Sequence, residues 1–150
     1  MGVLDVGVSR TPAQARAALQ ELNAPNPVVF EQVKKEVERR IGELTGPVVQ
    51  GAQDSLAAMN EEAAELIQAA AEHDEALEAL RRRIKRREIT AKDARKERDR
   101  IRREEMKLSQ LLDSITAAHE REVYVRDHPE DVLNVLYERY PALPRPQFPI

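Results

Sequence analysis

Between Ala52 and Arg126 apolar residues recur at helical spacing in two long runs. In the first, Leu56, Ala63, Ala70, Leu77 and Ile84 stand seven apart, with Met59, Leu66, His73 and Leu80 as companions three residues on. In the second, Ala94, Ile101, Leu108 and Ile115 repeat by seven, with Leu111 and Ala118 as companions. A seven-residue repeat held over several turns marks helices that wind on one another. The expected seam is Leu56, Leu66, Leu77, Leu80 and Ile84 on one helix, and Ile101, Leu108, Leu111 and Ile115 on the other.

Between the runs, Thr90-Ala91-Lys92-Asp93 resembles a capping box with Asp in place of Glu, which predicts a turn near 88–91 and a helical hairpin. Neither glycine nor proline lies there, so one uninterrupted helix is the competing arrangement. Folding about Thr90-Ala91 opposes residues whose numbers sum to 181, so that Leu80 meets Ile101 and Leu66 meets Ile115. Each arm would be about 50 Å long at roughly 1.5 Å per residue.

The flanks carry shorter amphipathic patterns. Residues 1–10 are Gly-punctuated and expected to be extended or loosely held. Thr11-Pro12 is a helix start, with Ala15, Ala18, Leu19 and Leu22 on one face. Asn26-Pro27 repeats that signal and opens a helix whose stripe is Phe30, Val33, Val37, Ile41 and Leu44. Thr45-Gly46-Pro47 is expected to break or kink it, with a third helix starting near Pro47 and running to about Arg87. Asp127-His128-Pro129 predicts a further boundary and a new helix carrying Val132, Leu133, Val135, Leu136, Tyr137 and Tyr140. Four prolines in the last ten residues predict an extended tail. The expected organisation is an N-terminal arm with amphipathic helices (1–46), a long helical hairpin (47–126), and a short apolar helix with a Pro-rich tail (127–150). The fold class is all-α and elongated.

Composition supports thin helices over a large globular core. Of 150 residues 34% are charged and five are aromatic, namely Phe30, Tyr124, Tyr137, Tyr140 and Phe148. There is no cysteine, which excludes disulfides and thiolate chemistry. No apolar run approaches the roughly 20 residues of a bilayer span. Neither a signal peptide nor a myristoylation site is expected at the N-terminus, which points to a cytoplasmic protein or a component of a particle assembled in the cytoplasm. The net charge of −3 conceals a strong segregation. Residues 1–80 sum to −8, residues 81–103 to +9 with 13 basic and 4 acidic groups, and residues 104–150 to −4.

Catalytic patterns are missing. His119-Glu120 opens like a zinc-protease helix, but Val123 stands where the second histidine belongs. No histidine has a glutamate three residues before it, and there is no Gly-rich phosphate loop. The chain is therefore expected to be no enzyme and to use no cofactor or metal. His73, in the seam, is read as a tolerated, partly exposed histidine, with register setting or pH sensing as the sharper alternative.

Two segments suggest contacts with other molecules. Arg81, Arg82, Arg83, Lys85, Arg86, Arg87, Lys92, Arg95, Lys96 and Arg98 would make a positive knob at a hairpin tip, suited to phosphate backbones or to an acidic protein partner. Val132, Leu136, Tyr137, Tyr140, Leu143 and Phe148 are the candidate protein-contact residues of the C-terminal segment, where Pro141-Ala142-Leu143-Pro144 has the P-x-x-P spacing. The expected partners are further copies of the chain and a larger protein assembly. Nucleic acid at the basic tip is the alternative, and no membrane contact is expected. In general character the chain resembles small helical accessory proteins of assembled particles, including tailed-phage head and tail components. That resemblance implies a structural, oligomeric virion or particle component; an antitoxin-like regulator is a weaker alternative.

Overall fold

The computed structural model describes residues 7–23 and 25–150; the expectation for residues 1–6, and residue 24, lie outside the described residues. Four helices hold 81% of it, and the fold is all-α. They are α1 (Pro12–Gln20), α2 (Pro27–Lys85), α3 (Ala91–Asp127) and α4 (Pro129–Arg139). Two short strands, β1 (Val8–Ser9) and β2 (Gln147–Phe148), pair antiparallel with Val8 opposite Phe148. The chain divides into two compact units. One runs to Gln53 and takes in Val123–Ile150; the other is Asp54–Glu122.

The first unit is closed around Phe148, which is 0% exposed among Ala15, Leu19, Val33, Val37 and Ile41. Helix α1 starts where the sequence predicts. Thr11 Oγ1 accepts from Gln14 N (3.2 Å), while Gln14 Oε1 accepts from Thr11 N (3.0 Å), a reciprocal capping box ahead of Pro12. A further unpaired donor of its first turn, Ala13 N, is met by Asn134 Oδ1 of α4 at 2.9 Å. Arg16 adds a two-pronged bond to Glu130, at 2.5 and 2.9 Å.

The C-terminal residues belong to this core, which corrects the expectation that Phe148 is offered to a partner. Short helices α1 and the start of α2 present mostly Ala, Val and Leu, and a large aromatic fills the space between them. Polar clasps hold the segment in place: Arg10 N donates to Pro146 O (2.9 Å), Arg10 Nε to Ile150 O (3.1 Å) and Arg40 Nη1 to Gln147 O (2.9 Å). Gly7 is part of the same fit. A Cβ there would stand 2.7 Å from Gln147 Cβ, so any side chain would push β2 off β1.

The expected break at Thr45-Gly46-Pro47 does not occur; α2 continues through Pro47. Proline removes one donor and leaves the Glu43 carbonyl without its helical partner. Glu43 and Pro47 are both exposed, so the gap in the ladder lies on a side of the helix open to water. Ile41 is buried and Leu44 partly buried before the proline, and Ala52 is buried beyond it, so the helix is packed on both sides of the proline.

In the second unit the two helices are separate, and the uninterrupted helix is excluded. Helix α2 ends in a Schellman motif: Arg87 N donates to Ile84 O (3.1 Å) and Glu88 N to Arg83 O (3.0 Å), with Arg87 in the left-handed region at φ 58°. Thr90 then caps α3, its hydroxyl accepting from Asp93 N at 3.2 Å. Leu56, Leu80, Ala94 and Ile101 are buried. Leu66, Leu77, Leu108 and Ile115 are half-buried. His73 Nε2 of α2 meets Glu104 Oε2 of α3 at 3.1 Å.

Two seam residues depart from expectation. Leu111 is 49% exposed and Leu112 takes its inward place, while Ile84, at the last turn of α2, is 39% exposed. An α-helix of 3.6 residues per turn drifts about 20° per heptad against a strict seven-residue repeat. Along α3 that drift moves the inward companion from Glu104 to Glu105, Leu112 and His119.

Candidate functional site

The end of α2, the turn and the start of α3 gather the cations that the sequence singles out. All ten of them, from Arg81 to Arg98, are exposed. Arg81 Nη1 bonds Glu78 Oε1 at 2.6 Å. Among the described residues none of the other nine forms an ion pair, although Glu88 and Asp93 lie in the same stretch. Arg100 binds both Glu97 and Glu104.

Charge from the two helices meets here. The Glu97 carboxyl is held below the usual range, first by its hydrogen bond from Arg100, and also by the charge of Arg83 on the other helix. Leu77, Leu80, Arg81 and Ile84 of α2, with Arg98 and Arg102 of α3, line one groove of about 130 Å³. Three aliphatic side chains and three guanidiniums line it. Arg102 was not among the residues the sequence pattern singled out, because its role arises only from the register of α3 against α2. No aromatic residue occurs between 81 and 103.

The C-terminal candidates divide. Leu136 (40%), Tyr140 (52%) and Leu143 (39%) are exposed, Val132 and Tyr137 are half-buried, and Phe148 is in the core. Val135, 54% exposed, joins the outward group. Leu136 and Tyr140 lie one turn apart, and Tyr140 N donates to Leu136 O at 3.0 Å. The N-cap position of α4 is His128, but its side chain makes no capping bond. Its ring instead stacks on Tyr124, with centroids 4.4 Å apart, and Nδ1 lies 3.3 Å from Tyr124 O.

Histidines elsewhere offer little chemistry. Buried Nδ1 of His73 has no hydrogen-bond partner while its Nε2 is used by Glu104. Among the described residues no three histidine or acidic side chains converge on a common point as metal ligands would. No helix among them is long and apolar enough to cross a membrane. Comparison with known proteins adds no relative: no family profile, no curated protein and no solved structure matches the chain.

Proposed function

We propose that the protein is a non-enzymatic assembly component. In this reading α2 and α3 of the second unit form an antiparallel coiled-coil hairpin that associates with further copies, and the first unit docks on a larger protein particle. One observation carries it: the seam of the second unit remains half open. Leu66, Leu77, Leu108 and Ile115 stay partly exposed, and Ile67 and Leu111 are 61% and 49% exposed. Each large aliphatic side chain gains about 1.5–3 kcal/mol on full burial, so further helices packed here have a substantial driving force. Leu136, Tyr140 and Leu143 are the docking residues of the first unit, exposed on α4, at its C-cap and in the turn after it, where Leu143 N donates to Tyr140 O at 3.0 Å.

Sedimentation equilibrium over about a hundredfold range of concentration tests the association. A mass at least twice 17.0 kDa is expected, falling on dilution; 17.0 kDa throughout would sink it. L136D/Y140D, which leaves Phe148 in its core, tests docking. Native co-purification of a large assembly should be lost, and unchanged recovery would refute the docking surface.

A second reading, contact with nucleic acid through residues 81–103, is favoured by the unpaired cations around the turn.

A further inference from the structure

We infer that the tip of the second unit is a seat for the phosphodiester backbone of duplex nucleic acid, centred on the groove rimmed by Arg81, Arg98 and Arg102, and that it reads no bases. The inference rests on the nucleic-acid reading and gives it a location and a ligand. It shares Leu77, Leu80 and Ile84 with the seam, so at that end the seat and association draw on the same residues.

Three observations lead there. The first is the supply of free charge. Among the described residues Arg98 and Arg102 form no ion pair, and Arg81 has only the solvent-exposed Glu78, a contact of small worth in water. Three guanidiniums around one small groove repel one another unless an anion lies between them, and the planar fork of arginine matches phosphate oxygens.

The second is the turn. Helices that stop in a Schellman motif favour glycine at the left-handed position, because a Cβ there costs roughly 1 kcal/mol. This chain has Arg87 there, at φ 58°, and so adds a cation at the apex of the reversal. Strain retained at a position where glycine would remove it is a marker of function.

The third is the scarcity of apolar surface. Stable protein interfaces have an apolar core from which charged residues are depleted. Between 81 and 103 the exposed large apolar residue is Ile84, at 39%. A surface of charge with so little apolar area suits a polyanion better than an acidic protein. Without an aromatic residue in the segment, unpaired bases have nothing to stack on, which favours duplex over single strand. Two helices side by side, each about 10–12 Å across with side chains, are too wide for a major groove of about 12 Å. The tip therefore lies across the phosphates.

The test is fluorescence anisotropy of the full chain with two labelled duplexes of unrelated sequence, titrated at several salt concentrations. Both should bind equally well within about twofold, with log K falling against log salt at a slope of about −3 to −5, corresponding to three to six phosphates. The variant R81E/R98E/R102E should lose about 100-fold or more in affinity at moderate salt. Three reversals outside the tip, K35E/K107E/R121E, should leave most of the binding; circular dichroism should show both variants as helical as the parent. Absence of binding by the parent chain at low salt overturns both the seat and the nucleic-acid reading. Parent-like binding by R81E/R98E/R102E overturns the seat alone. Polyglutamate that competes as well as duplex, charge for charge, overturns the inference in favour of an acidic protein partner.

Discussion

The two units of this chain solve the same problem in different ways. The first closes on itself. Short elements from both ends of the sequence meet around Phe148, and polar clasps from Arg10, Arg16 and Arg40 fix the ends of those elements. The second is built of two long helices that bury Leu56, Leu80, Ala94 and Ile101 but leave the remaining seam half in water. A closed core gives cooperativity to few residues. A two-helix layer has one shared face and leaves apolar area available for association. The contrast teaches where to look for partners: in the open unit and on the outward side of α4, away from the filled core.

The largest effect expected is that of F148A. Emptying this site should cost about 3–5 kcal/mol and unfold the first unit at lower denaturant. Helical signal from the second unit should persist as a separate transition. A single unchanged transition would mean that Phe148 does not hold the first unit together.

Within the second unit, burial should sort the seam. In protein dilute enough to be a single chain, I101A should cost about 2–4 kcal/mol and L111A below about 1 kcal/mol, read from chemical denaturation. Equal losses would show that Leu111 is covered within the single chain.

A gain is expected at the turn. R87G relieves the left-handed residue and should stabilise the second unit by up to about 1 kcal/mol, seen as a raised thermal midpoint. The same change should weaken duplex binding slightly. Stabilisation without any loss of binding would remove Arg87 from the proposed seat.

The smallest effect concerns acid. Hydrogen bonds from Arg39 and then Arg40 hold the Glu36 carboxyl down at about 2, against an ordinary 4.5. Because the folded value lies below the unfolded one, the contribution is complete above about 4.5 and fades as pH falls toward 2. Its size is limited by solvent screening to a few tenths of a kcal/mol, up to about 1. E36Q should flatten that part of the acid-denaturation curve of the first unit while leaving the second unchanged.

Local rules carried much of the sequence reading. Thr11-Pro12, Thr90 with Asp93, and Pro129 all begin helices because capping and the proline N1 preference act within one turn. Of the heptad positions, Leu56, Leu80, Ala94 and Ile101 are buried. Pro47 was misleading because its penalty is local and moderate, while α2 is packed at Ile41 before it and at Ala52 beyond it. Leu111 failed because a strict repeat ignores the slow drift of a straight helix. The β1–β2 pairing and the burial of Phe148 join the two ends of the sequence, Val8 to Phe148, and no periodicity within either segment announces the other. At the tip the run of cations was plain in the sequence. The groove they rim was not, since Arg102 enters it only through the register of two helices.

Hydrogen exchange followed by mass spectrometry at several protein concentrations tests the contrast most directly, because it reads both units in one sample. Amides of the first unit should exchange at rates independent of concentration, since its core is complete within one chain. Amides from residue 54 to residue 122 should become better protected as concentration rises, since in the proposed reading further copies cover their seam. Protection of that stretch that does not change with concentration would contradict the account.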